Sequence, residues 1–343
     1  MKIQEAIAAL IERQDLEPGA MVSVMESVMT GQTTPAQIGA LLVALRMKGE
    51  TPDEIVAAAR VMRELATRVE VATDGLVDTC GTGGDASGTF NISTASALVA
   101  AAAGARVAKH GNRSVSSRSG SADVLQALGV HLGITPEGVA TCIERVGVGF
   151  LFAPAHHGAM RHAIGPRREL GVRTIFNVLG PLTNPAGAPN QVLGVFSAQW
   201  VRPLAEALQK LGSRHVLVVH AEDGLDEISI SAPTQVAELR DGTVHEYRVT
   251  PEDFGLQRAP VEQIQVDGID ASAAMIRAVL DAAPGPARDV VLLNAGAALY
   301  VSGRVDSHAE GVAEAARAVD SGAAAERLRQ LVELTAELPE WKP

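Results

Sequence analysis

The chain changes its periodicity once, near residue 70, and that change limits the folds open to it. Before it, apolar residues recur at helical spacing, as at Ile3, Ala6, Ile7 and Leu10. Thr34-Pro35 and Thr51-Pro52 each put a hydroxyl N-cap before a proline at the first helical position, where the missing N–H costs nothing. Glu54 follows Thr51 by three residues and completes a capping box, and Gly49 closes the helix between the two starts. No strand signal precedes Val69. From VEVATDGLVDTC (69–80) onward, β-branched runs alternate with helical patterns. Strands are predicted at 69–80, at ARVAKHG (105–111) and at HVLVVH (215–220). Helices are predicted at 121–129 with Ser121 as cap, from Thr135-Pro136 to about Val146, and after a Ser307 cap. DVVLLNAGAAL (289–299) reads as a strand entering a helix, and 233–267 alternates too weakly to assign. Such alternation predicts a largely parallel sheet flanked by helices, an α/β fold behind an all-α start.

Composition narrows the function. A chain of 343 residues suits two domains, or one large domain with an appendage. Aromatic residues make up only 3%, so the core must be built from Ala, Val, Leu and Ile. The formal charge of −11, without a basic run, disfavours nucleic acid and anionic membranes as partners. Two cysteines, Cys80 and Cys142, make neither a disulfide framework nor a zinc pattern. The N-terminus is amphipathic with acids, unlike a secretion signal, and the alanine-rich run before Gly104 is too short to span a bilayer. The reading is a cytoplasmic protein.

Four stretches carry chemistry. DTCGTGGDASGTFNIST (78–94) is a glycine-rich turn between a strand and a helix beginning near Ser93. Glycines let a backbone approach an anion, and a helix N-terminus supplies free N–H groups. GTGGD is neither the P-loop nor the dinucleotide pattern, so a plain tight turn capped by Ser93 or Thr94 fits it equally well. KHGNRSVSSRSGSAD (109–123) follows a second strand and is dense in cations and donors, as a ligand with many phosphate oxygens requires. Two such loops at the carboxyl ends of adjacent strands stand where ligands bind in open α/β sheets. DGLDEIS (223–229) follows the strand at 215–220. Its carboxylates are either a solvated turn or, near phosphates, holders of Mg²⁺. PAHHGAMRHAIGPRRELGVRTIFNVLGPLTNP (154–185) gathers His156, His157, His162 and four arginines. Its adjacent histidines lack helical metal spacing and suit a general base or a structural role, and GPLTNP reads as a loop.

In this order and at this spacing, GTGGD, TFNIST, KHGNRSVSS, RELGVRTIFNVLGPLTNP and DGLDEIS make the chain resemble the anthranilate phosphoribosyltransferases over nearly its whole length. The resemblance implies transfer of a phosphoribosyl group from phosphoribosyl pyrophosphate to the amine of anthranilate, with release of pyrophosphate. It implies a nucleoside-phosphorylase-like fold: a small helical domain of residues 1–70 plus about 160–190, through which a homodimer forms, and an α/β domain of 71–159 and 191–343. It implies that Gly81, Gly84, Asp85, Thr89, Asn91, Ile92, Ser93 and Thr94 hold phosphoribosyl pyrophosphate. Lys109, His110, Gly111, Asn112, Arg113, Ser114, Val115, Ser116, Ser117 and Ser121 would complete that set. Gly81, Asn112 and Arg167 would meet anthranilate, with His110 and the His156-His157 loop lining the way in. Two Mg²⁺ ions would be held by Ser93, Asp226 and Glu227. No residue is assigned a proton-transfer role, His110 being the candidate. Ala86 and Gly158 depart from the family pattern, where glycine and proline are common. A pyrimidine nucleoside phosphorylase would share the fold but need no acidic pair. A nucleic-acid-binding relative would be basic around its cleft.

Overall fold

The computed structural model describes residues 1–85, 87–113 and 120–341. The chain begins with four helices, α1 (Ile3–Ile11), α2 (Pro18–Met29), α3 (Pro35–Lys48) and α4 (Pro52–Glu64). Thr34 and Thr51 cap α3 and α4 by accepting the backbone N–H of Gln37 and Glu54, each with a proline at the next position. The capping glutamate does more than close a box. Buried Glu54 also accepts the Leu16 N–H at 2.9 Å and the Lys48 ammonium at 2.9 Å, tying the α1–α2 loop to α4. Gly49 ends α3 at φ +92°, a conformation glycine adopts without strain.

Strands then alternate with helices: β1 (Leu76–Gly81), α5 (Ile92–Ala102), β2 (Arg106–Gly111), α6 (Ser121–Ala127), α7 (Pro136–Val146) and β3 (Val148–Phe152). The chain returns to the bundle with α8 (Ala153–His156), α9 (Arg161–Leu170) and α10 (Phe176–Leu179). There α9 packs on α2 and α3, and α10 packs on α4. It re-enters the sheet as β4 (Asn190–Gly194), α11 (Val201–Lys210), β5 (His215–Ala221), β6 (Thr234–Arg240) and β7 (Thr243–Val249). It ends in α12 (Ile269–Leu280), α13 (Pro286–Val301), α14 (His308–Asp320) and α15 (Ala323–Glu337). The sheet order is β3-β2-β1-β4-β5-β6-β7. The first five strands in that order are parallel, and β6 and β7 are antiparallel at the edge. Alternate β5 residues serve two cores. Val216 and Val218 face the apolar cluster shared with α11 and the bundle, while Leu217 and Val219 face the cluster built on α5 and α13.

Several expectations need correcting. Residues 289–299 hold no strand. They lie within α13, whose residues from Val290 to Leu299 are all buried, so an all-apolar run signals a core helix here. The predicted strand over 69–80 shrinks to Leu76–Gly81. The helix after the glycine turn starts at Ile92 with Asn91 at its N-cap, so neither Ser93 nor Thr94 caps it. Ser121 is the first residue of α6, with Gly120 at the N-cap. Gly180–Leu182 of GPLTNP forms a 3₁₀ turn, and His156 ends a short helix. The unassigned stretch contains the β6–β7 hairpin, closed by Asp241-Gly242 with φ of 51° and 73°. Two successive positive φ values make the turn that best fits strand twist, and Asp-Gly is its signature.

Candidate functional site

β1 sits between β2 and β4, so the carboxyl ends of β1 and β2, from which the two loops leave, belong to neighbouring strands. The glycine loop turns through Gly83, Gly84 and Gly88, all at positive φ. A strap from 264–266 holds it: Ile264 O accepts the Phe90 N–H at 3.0 Å, and Val266 N–H donates to Gly88 O at 2.9 Å. Thr89 bridges to Gln265, whose side chain donates to Ser87 O at 2.7 Å. From the connector before α10, Arg173 reaches the same loop. Its guanidinium donates to Gly84 O and stacks over Phe196 at 4.0 Å.

The acidic pair arrives from the loop after β5, through a space only glycine leaves open. A Cβ on Gly81 would stand 2.5 Å from Asp226 Oδ2, and one on Gly194 would stand 1.5 Å from the Asp226 carbonyl oxygen. Gly83 N–H donates to Asp226 Oδ2 at 2.8 Å, and the Ser93 N–H at the start of α5 donates to Glu227. The pair is fixed from behind by Asn294 of α13. Its amide accepts the Ile228 N–H at 3.0 Å and donates to Ile228 O at 2.9 Å. Loss of water raises the Asp226 carboxyl to about 7, helped by the neighbouring Asp85 charge. The same desolvation, with the Asp226 charge next, raises Glu227 to about 8, against the opposing pull of Lys109.

These carboxylates fit a hard divalent cation. Three acids drawn together repel one another until a positive charge lies between them. Among the described residues no group of three His, Cys, Asp or Glu side chains is placed to hold a metal ion. Mg²⁺ needs only one or two carboxylates when phosphate oxygens and water fill the remaining positions. The raised carboxyls also tie stability to pH. In metal-free protein, the stability they contribute is full below the ordinary carboxylate range and lost as pH rises through about 7 and 8. Metal-free protein is therefore expected to melt lower at about pH 9 than at about pH 6, and saturating Mg²⁺ should narrow the gap. Melting curves that respond to pH identically with and without Mg²⁺ would contradict this.

Lys109 lies buried below the two loops, its ammonium donating to Thr79 O at 2.6 Å and Ser93 Oγ at 3.0 Å. Burial lowers its pKa, opposed by Asp78 and the acidic pair. Ile92 is buried at the start of α5. Thr94 donates to the Asn91 side chain, and the Asn91 N–H donates to Ser272 Oγ at 3.0 Å. Gly111 has no room for a Cβ, which would stand 2.3 Å from Ser121 Oγ. Ser121 Oγ donates to Asn112 O at 3.4 Å, and Asn112 Oδ1 accepts the Arg113 N–H at 2.7 Å. The Arg113 guanidinium pairs with Asp123 at 2.7 Å. Ser114, Val115, Ser116, Ser117 and Ala86 lie outside the described residues.

The histidines form a second group. The His110 and His157 rings lie 5.2 Å apart, both buried, each with Nε2 lacking a partner among the described residues. Burial, then the neighbouring imidazole, pushes His110 well below its ordinary value, and burial lowers His157 to about 4. Both are neutral imidazoles at neutral pH. His156 turns away, with Nδ1 2.9 Å from Thr67 O. Arg167 on α9 is half-buried, stacks over Phe176 at 5.1 Å and pairs with no carboxylate among the described residues. Arg173, Asn294 and Gly194 escaped the sequence reading. The first stood within a motif already singled out, but the partners of all three lie far along the chain.

Comparison with known proteins gives matches to both parts of the fold. The family model described as "Glycosyl transferase family, a/b domain" matches residues 73–325, and "Glycosyl transferase family, helical bundle domain" matches 4–66. The anthranilate phosphoribosyltransferase of Thioalkalivibrio sulfidiphilus is 70% identical over 98% of this chain and 99% of its own. The crystal structure of that enzyme from Thermus thermophilus matches with a TM-score of 0.92 at 48% identity, covering 96% of this chain and 99% of the other. The Saccharomyces cerevisiae enzyme in complex with PRPP and Mg matches with a TM-score of 0.88 at 26% identity over 98% of each chain.

Proposed function

The chain belongs to the anthranilate phosphoribosyltransferases, and on that premise we propose how its residues carry the reaction. The protein transfers the phosphoribosyl group of phosphoribosyl pyrophosphate to the amine of anthranilate, releasing pyrophosphate, a step of L-tryptophan biosynthesis. The observation that carries the residue assignment is the approach of Asp226, through glycine-sized gaps at Gly81 and Gly194, to the glycine loop, with Glu227 bonded at the start of α5.

An aryl amine is neutral at pH 7 and already nucleophilic, so the demanding step is departure of pyrophosphate from C1 as positive charge grows on the ribose ring. The backbone N–H groups of the glycine loop and the start of α5 bind the phosphates. Thr89, Asn91 and the stretch from Lys109 to Ser117, with Ser121, complete that cradle. Asp226, Glu227 and Ser93 would hold Mg²⁺, two ions in this reading, whose charge would offset that of the leaving group. The neutral imidazoles of His110 and His157 line the approach of the aromatic substrate. Closure of the bundle onto the sheet would exclude water that otherwise hydrolyses the sugar.

Arg167, desolvated and without an anionic partner among the described residues, is assigned to the anthranilate carboxylate, with Gly81 and Asn112 assigned to the same substrate. Arg167→Ala should raise the anthranilate KM by about 10- to 100-fold, the loss of one charge-assisted hydrogen-bonding group, and leave the phosphoribosyl pyrophosphate KM nearly unchanged. Equal effects on both substrates would count against this role.

A homodimer through the bundle is supported by where exposed apolar side chains fall. Ile11 of α1, Met47 of α3, Ile164 of α9 and Val172 all lie on or beside the bundle. Two buried free thiols suit the reducing cytoplasm, and no described helix is long and apolar enough to cross a membrane. The test of function is turnover. Purified protein with anthranilate, phosphoribosyl pyrophosphate and MgCl₂ should lose anthranilate fluorescence and form N-(5-phosphoribosyl)anthranilate. Phosphorolysis of thymidine or uridine without anthranilate turnover would overturn the reading.

A further inference from the structure

β1 and β2 part company where the site begins. They are in register at Leu76 with Arg106 and Val77 with Val107, and no further. On the other side, β1 stays in register with β4 from Val77 to Gly81, and β2 with β3 from Val107 to Gly111. A split between neighbouring parallel strands leaves buried N–H and C=O groups that must find partners. Here side chains supply them. Asp78 Oδ1 of β1 accepts the His110 N–H of β2 at 3.0 Å. The Lys109 ammonium of β2 donates back to Thr79 O of β1 at 2.6 Å. Asn184, beyond α10, fills the gap from outside the sheet. Its Nδ2 donates to Asp78 Oδ2 at 2.8 Å and to Ala108 O at 2.8 Å, one partner on each strand.

Asn184 belongs to the segment that brings the chain back from the bundle, and the crossings between bundle and sheet are bonded to one another there. Val69 N–H, leading from α4 to β1, donates to Pro185 O at 3.1 Å. Thr67 N–H donates to His156 O at 2.8 Å on the crossing from β3 to α9. The Asn184 loop is itself braced, its Oδ1 accepting the Ala186 N–H at 2.9 Å. These bonds connect the bundle crossings to this loop, and the loop is bonded to both strands that carry the glycine loop and the KHGN turn.

We propose that Asn184 and Asp78 form a positioning latch: they set the separation of the β1 and β2 loops that clasp phosphoribosyl pyrophosphate, and they tie that separation to the crossings from the helical bundle. Neither residue touches the reacting atoms. The inference rests on the function proposed above for its kinetic test, and the amide-exchange test below is independent of it.

The variants are Asn184→Ala, which removes both links, and Asp78→Asn, which keeps an acceptor for the His110 N–H while losing the one facing Asn184. Both should raise the KM for phosphoribosyl pyrophosphate about tenfold, as expected for a lost buried hydrogen bond beside a charge, and the anthranilate KM by clearly less, because its proposed carboxylate partner Arg167 stands on α9, outside both loops. A merely structural role would lower the melting temperature and the amount of active protein without separating the two KM values. Amide hydrogen exchange of the ligand-free protein is read alongside, with no reaction required. It should quicken in 78–85 and 109–113 in both variants and stay unchanged in α13 and α14. Wild-type turnover with unshifted KM values in both variants would overturn the latch while leaving the function intact. Exchange unchanged in 78–85 and 109–113 would overturn it even if the wild-type enzyme had a different substrate.

Discussion

An Asp226→Asn, Glu227→Gln double variant should lose about 10³-fold or more in kcat/KM, because a metal clamp on a leaving phosphate contributes several kcal/mol. The same variant should melt no lower than the parent in metal-free buffer. The two outcomes have one cause. In the protein without metal, both carboxyls are desolvated beside each other and beside Asp85, and their pKa values rise for that reason. Isosteric amides remove the repulsion, and the amide carbonyl that replaces the Asp226 carboxylate can still accept the Gly83 N–H, which Asp226 Oδ2 accepts at 2.8 Å. Catalytic sites commonly hold such charges at a cost in stability. Lost activity together with a large fall in melting temperature would show that the acids brace the loop and do not hold metal. Retained activity would remove them from the mechanism.

A single methyl group should do comparable damage. Gly194→Ala places a Cβ 1.5 Å from the Asp226 carbonyl oxygen and 2.4 Å from its carbonyl carbon. No rotamer relieves a clash with backbone, so the loop carrying Asp226 and Glu227 must move. A displacement of about 1 Å in a catalytic constellation costs about 10²-fold, and that is the expected fall in kcat/KM. The destabilisation should be about 1–3 kcal/mol, the usual cost of overpacking. The contrast is Gly158→Ala, where a Cβ meets nothing within 4 Å, and which should leave both properties nearly unchanged. Steady-state kinetics and thermal melting of the two variants decide the matter. Equal behaviour would mean that the approach at Gly194 is not needed for function.

What could be read from the sequence divides along a physical line. Thr34, Thr51, Thr135 and Ser307 act on N–H groups three residues away, so their caps were visible locally and are present. GTGGD, KHGN and DGLDE carry their chemistry in the motif itself, and the fold brings all three to one end of the sheet. The supporting residues are of another kind. Asn184 works through Asp78 and Ala108, Asn294 through Ile228, and Arg173 through Gly84. Nothing in the residues around a lone asparagine says which distant backbone it will meet. The first half of 289–299 reads as strand because an apolar run lacks periodicity whether it is buried as a strand or as a helix; the length of α13 and Pro286 at its first turn are the arbiters. The β6–β7 hairpin was missed despite a local signal, Asp241-Gly242, because β7 is an exposed edge strand whose alternation is weak.

If the glycine loop, the start of α5 and the Asp226–Glu227 pair make one site, metal and phosphoribosyl pyrophosphate bind there together. Calorimetric titration of phosphoribosyl pyrophosphate into the protein, with MgCl₂ and again with excess chelator, tests it most directly. Binding should be saturable with Mg²⁺ and should disappear in chelator and in the Asp226→Asn, Glu227→Gln variant. Equally tight binding in chelator, or binding indifferent to both substitutions, would contradict it.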